Sequence, residues 1–120
     1  MNKERASLWT KALRSGRFPQ GGAELRNRGG YSALGVACEV YLECNPSLRP
    51  TFRFDTPTRA WYGYEHITLP YGVAKWYGLK TVSGKYDPMQ GEQNSVAWAG
   101  YAEIPFHTTA DNIDKHYSTM

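Results

Sequence analysis

The sequence predicts an α+β fold: a compact single domain, residues 1–120, with three to four helices around a small, mostly antiparallel sheet. Three observations predict it. Apolar residues recur at helical spacing near both ends, at Ala6, Trp9, Ala12 and Leu13 and again at Phe106, Ala110, Ile113 and Tyr117. The middle alternates as strands do, over residues 51–55 and 61–69. At 120 residues the chain can enclose one core but not two.

Taken in order, residues 2–15 read as an amphipathic helix with Asn2 as its cap, Arg14 at the negative end of the dipole and Gly16 in the left-handed position beyond it. Residues 23–27 and 31–33 then pair as a hairpin across Asn27-Arg28-Gly29-Gly30, with Leu25 inward and Arg26 and Arg28 exposed. A helix follows from Ser32 or Ala33 to Cys44. It is apolar around most of its circumference and is therefore the central core element, and Asn45-Pro46 stops it.

In the 61–69 strand, alternation puts Tyr62, Tyr64, His66 and Thr68 on one face and Trp61, Gly63, Glu65, Ile67 and Leu69 on the other. Pro70 opens a short helix that reaches Tyr77, and Gly78 closes it. Residues 80–94 form a long polar loop, either mobile or part of a binding edge. Residues 95–104 fit a strand by alternation and a helix by their alanines.

Net charge is +3, too small to argue for nucleic acid by itself. Its distribution is uneven: residues 1–31 carry seven basic groups against two acidic ones, and the remainder seven against nine. Such asymmetry suits an anionic partner met by the first third, or a solvated basic face with none. No stretch approaches the ~18 apolar residues of a membrane span, and no apolar signal segment opens the chain. A membrane partner is therefore not expected.

Catalytic and metal constellations are not legible. His66, His107 and His116 have no helical metal-site spacing. Cys38 and Cys44 lie six residues apart on one helix, about 9 Å along its axis, which is beyond disulfide reach. Free thiols in a reducing cytoplasm follow. Cys38 falls in the apolar stripe, and Glu39 with Glu43 reads as a solvated pair. No phosphate-loop or dinucleotide fingerprint surrounds either Gly-Gly pair. The expectation is a protein without enzyme activity, metal or cofactor.

What remains is a binding constellation. Arg14, Arg17, Arg26 and Arg28 offer forked donors to phosphate. Arg53, Arg59, Trp61, Tyr62, Tyr64 and His66 interleave guanidinium groups with flat rings, which suits stacking a base while neutralising a phosphate. The same residue types also serve as core aromatics with flanking charge, or as a protein-binding surface.

The opening stretch carries a recognisable pattern: Trp9, Ala12-Leu13-Arg14-Ser15-Gly16, Phe18, Gln20-Gly21 and Leu25, then Tyr31 to Glu39 through Leu34-Gly35-Val36 and Cys38. Leu69-Pro70 with Trp76-Tyr77-Gly78-Leu79, and Phe106 with Thr109-Ala110-Asp111 and Ile113, extend it. This resembles a family of small phage and prophage proteins of uncharacterised function, with Ser32 and Ala33 standing where that family commonly has two cysteines. The resemblance implies a phage-encoded accessory protein of the host cytoplasm that antagonises host defence. The leading expectation is a counter-defence protein that sequesters a nucleotide-derived second messenger, with a homo-oligomer interface as a place for the site. The alternative is a protein–protein inhibitor of a host defence protein or complex, anti-CRISPR-like in manner. A DNA-binding regulator ranks third, because Asp111 and Asp114 on the last helix oppose DNA contact.

Overall fold

The computed structural model describes residues 1–120 and has the expected α+β architecture. Helix α1, Lys3–Arg14, begins where the Asn2 side chain accepts a hydrogen bond from the Arg5 amide. Strand β1, Arg26–Asn27, and strand β2, Gly30–Tyr31, make the expected hairpin, shortened to two residues a side. The Asn27 carboxamide oxygen closes its turn by accepting from the Gly29 and Gly30 amides at 2.8 and 3.1 Å. Helix α2, Ala33–Cys44, is capped by Ser32, whose hydroxyl accepts from the Gly35 amide.

The β-rich middle departs from its alternation. Thr51 and Phe52 belong to a short helix, α3, Arg49–Phe52, and only Arg53–Asp55 remain as strand β3. Strand β4 is Arg59–Tyr62. The predicted strand over 61–69 stops at Gly63, whose φ of 61° turns the chain into a tight reversal. Tyr62 and Glu65 exchange backbone hydrogen bonds of 2.9 and 3.1 Å across it. Alternation fails with the strand: Tyr62 is fully buried, whereas Tyr64, predicted on the same face, is 97% exposed.

The four strands lie in the order β2-β1-β4-β3, every named pair antiparallel. Beside β2 the chain at Pro19–Gly21 adds two backbone hydrogen bonds, the Tyr31 amide to the Pro19 carbonyl and the Gly21 amide to the Tyr31 carbonyl. Helix α4, Tyr71–Tyr77, ends at Gly78 as expected. The polar loop after it is tied down: Leu69 donates to the Val82 carbonyl, Val96 to the Gly84 carbonyl and Tyr86 to the Asn94 carbonyl. Residues 95–104 resolve as helix α5, Val96–Tyr101, because the Ser95 hydroxyl caps it by accepting from the Trp98 amide. Helix α6, Phe106–His116, completes six helices, two more than the upper expectation, since α3 and α5 are too short to show a stripe.

The core lies between α1, α2, α6 and the inner side of the sheet. α2 is central, and Leu34, Val36, Ala37, Cys38 and Leu42 are fully enclosed. Its buried neighbours satisfy their polar tips: the Trp9 indole donates to the Ala33 carbonyl at 2.9 Å and the Tyr77 hydroxyl to the Ala37 carbonyl at 2.6 Å. At Gly35 an added Cβ would lie 1.7 Å from the Leu25 carbonyl oxygen, so α2 meets the β1 approach backbone to backbone. Cys38 and Cys44 are free thiols, and burial pushes the Cys38 thiol well up. No helix is long and apolar enough to cross a membrane.

Candidate functional site

The sequence singles out ten residues, and the fold sorts them into three places. Arg14 and Arg17 are structural ties away from the sheet. One Arg14 nitrogen reaches Asp111 and Asp114 of α6, both at 2.7 Å, and these hydrogen bonds raise its pKa. Arg17 makes a two-pronged contact with Glu43 of α2 at 3.0 and 3.2 Å. Asp111 and Asp114 therefore carry less free negative charge than their sequence suggests.

Arg53 and Tyr62 turn inward, beneath the sheet. They converge on Glu39, which the sequence reads with Glu43 as a solvated pair and which the fold buries. Its carboxylate is buried and accepts from the Tyr62 hydroxyl at 2.7 Å, from Arg53 at 2.8 Å and from Arg49 at 3.1 Å. Burial and then Glu39 itself hold the Tyr62 phenol far above its ordinary pKa. With its ring enclosed, Tyr62 cannot stack a ligand, and Arg53 is committed to Glu39 and Asp55. The signal for this cluster was available: an acidic residue on a helix that is apolar all round must find partners inside.

The third place gathers Arg26, Arg28, Arg59, Trp61 and His66, with Tyr64 standing free beside them. In the sheet, Arg26 pairs with Ala60 and Asn27 with Arg59, so the hairpin lies beside the aromatic strand, with Arg26 on the Ala60 face and Arg59 and Trp61 on the other. Arg26, Arg28 and Arg59 line a groove of about 240 Å³, with Thr56, Thr58 and Asp55 on its far wall. Through Asn27, Arg28 and Thr58 it runs into a wider, shallow depression of about 500 Å³ floored by Gly21, Gly22 and Gly29.

The three arginines differ in what they are free to do. Arg59 forms an ion pair with Glu24 at 2.8 Å and lies 3.4 Å from His66 Nδ1. That pair is poorly aligned, and Glu24 Oε2 is buried without a proper hydrogen bond. Arg28 donates to the Pro57 carbonyl at 3.1 Å. Arg26, expected to be exposed, is half-buried. Its guanidinium rests over the Tyr31 ring at 4.9 Å, and its Nε is buried with no partner. Every other arginine has an anionic or carbonyl partner in the protein.

The aromatic part is less open than the sequence implies. His66 sits against Trp61 with ring centroids 4.4 Å apart and covers it in part. Phe54, the cross-strand partner of Trp61, was not a candidate and is 66% exposed. Its strand partner could have revealed it: once 53–55 and 59–62 pair, Phe54 and Trp61 must share a face.

Fold and site together define a small single-domain α+β protein with an arginine-lined groove across its sheet. The chain belongs to the family described as Domain of unknown function (DUF8296), whose family model matches residues 1–116. Searches of curated proteins and of solved structures return no match.

Proposed function

We propose that this protein binds a phosphate-bearing, nucleotide-derived signal in the groove of Arg26, Arg28 and Arg59 and holds it without turnover. The observation that carries this is Arg26. Its guanidinium borders an open groove with no anionic or carbonyl partner in the protein, and an oxyanion there would meet its terminal nitrogens, the Nε itself being enclosed. Arg28 and Thr58 also line the groove and add donors for the same oxyanion.

The setting we propose is phage counter-defence in the host cytoplasm, which rests on the resemblance of the opening stretch. The groove is shallow for a whole dinucleotide, so a ligand of that size would be shared between two copies of the chain. Cys38 supports binding over covalent chemistry, because its thiol is enclosed and its pKa is raised by burial.

Thermal unfolding tests the reading with a panel of linear and cyclic di- and trinucleotides and ADP-ribose derivatives. A binder at 100 times its Kd adds about 2.7 kcal/mol of stability. Arg26→Ala should abolish the shift, and Arg14→Ala should retain it. If no member of the panel shifts the melting temperature, sequestration of such a signal is wrong.

One observation favours a second reading. Phe54 on the sheet and Tyr64 in the reversal after β4 are 66% and 97% exposed, as aromatic anchors with an arginine rim are in protein interfaces. A single host defence protein retained from lysate, lost on Tyr64→Ala and kept on Arg26→Ala, would select the inhibitor.

A further inference from the structure

A second groove lies on another part of the molecule, between α5, α6 and the end of the polar loop. It measures about 300 Å³. One wall is α6, which presents Thr108, Asn112 and His116 at intervals of four residues and hence along one side of the helix. The opposite wall is Trp98 of α5, 45% exposed, and the amides of Gln93 and Asn94 stand at the rim.

Three features limit what this groove can take. No Asp, Glu, Lys or Arg lines it, so it offers no fixed charge to neutralise an ionic ligand. Its polar groups are side-chain amides, three hydroxyls and an imidazole, which donate and accept in about equal measure, and the Asn112 amide also reaches the Tyr86 phenol. Its size is near the ~300 Å³ lower limit of ordinary ligand pockets, enough for one ring system and not for a chain. The half-exposed Trp98 indole supplies a stacking face of the kind on which bases rest in nucleic-acid-binding proteins.

We propose that the α5–α6 groove is a binding site for an uncharged, flat heterocycle of nucleobase type, stacked on Trp98 and read along its edge by Asn112 and its neighbours on α6. The pairing chemistry is that by which Asn and Gln amides recognise a base edge, donor to acceptor and acceptor to donor. A sugar would use the same amides but would present a stepped, saturated face to Trp98. The proposal stands on this groove alone and holds whether or not the arginine groove binds phosphate.

Nitrogen–proton correlation spectra test it, with adenosine, guanosine, cytidine and uridine as probes and methyl glucoside as the comparison. None of these probes carries a phosphate, so Arg26→Ala should leave the result unchanged. At least one nucleoside should shift the Trp98 indole and the Asn112 side-chain amide signals saturably. Asn112→Ala should weaken that binding at least tenfold, and so should Asn112→Asp, which keeps the side-chain shape but replaces an amide donor with charge. Thermal melts of both variants identify any that fails to fold, and Trp98→Ala, on the exposed side, then serves in its place. Three results would each overturn the proposal: no nucleoside shifts the indole, methyl glucoside shifts it equally, or folded variants bind as well as the parent.

Discussion

Glu39 shows how far one residue can mislead when read alone. In the sequence it resembles a surface acid. In the fold its carboxylate is the common acceptor for Tyr62, Arg53 and Arg49. Removing its charge leaves Arg53 with only the exposed Asp55 to balance it, so Glu39→Gln should cost about 3 kcal/mol, measured by urea unfolding, while Tyr62→Phe should cost about 1 kcal/mol. Burial also raises the phenols of Tyr62, Tyr77 and Tyr86, the last to about 12, with the Asn112 side chain opposing the rise at Tyr86. Unfolded tyrosines ionise near pH ~10, so above that pH the unfolded chain holds fewer protons than the native one. Stability is therefore complete below pH ~9 and falls as pH rises through 10 to 12. Each pH unit removes at most about 1.4 kcal/mol per tyrosine, and Tyr86→Phe should flatten the decline in unfolding midpoints between pH 8 and 12. Arg26 is the counterpart of Glu39: Arg26→Ala loses only its rest on Tyr31, under ~1 kcal/mol. A loss of ligand response in that variant would thus report binding and not unfolding.

At the scale of elements, the long helices were legible in full and the strands only in part: the hairpin and the places of β3 and β4, but not their lengths. α1, α2 and α6 each run beyond ten residues, so periodicity and caps both speak for them. Strands of two to four residues are too short for alternation to fix their ends. The aromatic run after Trp61 looked continuous because only Gly63 marks the break, and a lone glycine is weak punctuation. Part of the candidate site was legible for a related reason. The sequence identified Arg26, Arg28 and Arg59 by type, but only the β1–β4 pairing puts them together. Arg14 and Arg17 looked equivalent to them, and their carboxylate partners lie 26 residues or more away along the chain. Element packing also makes Gly35 sensitive. A methyl group there meets the Leu25 carbonyl, so Gly35→Ala must push α2 off the sheet, at a cost of about 3 kcal/mol or more. Thermal melting of the variant checks this directly, and loss of native near-ultraviolet dichroism would accompany it.

Over the whole molecule, α2 divides the structure into a helical side with α1 and α6 and a sheet side with the arginine groove. The two candidate grooves lie on different walls, one charged and one neutral, so their occupancies should be independent. Isothermal titration of a phosphate-bearing ligand, with and without saturating nucleoside, should return the same Kd within about twofold. The strand order has a consequence for self-association. One flank of the sheet is sealed where Pro19 and Gly21 bond to Tyr31, which leaves β3 as the free margin. That margin is three residues long, with charged Arg53 and Asp55 on either side of Phe54. A neighbouring chain could add few ladder bonds there, too few to template a fibril or a continuous intermolecular sheet. Two copies brought together around a shared ligand would have to meet through side chains such as Phe54, and would separate again once the ligand left.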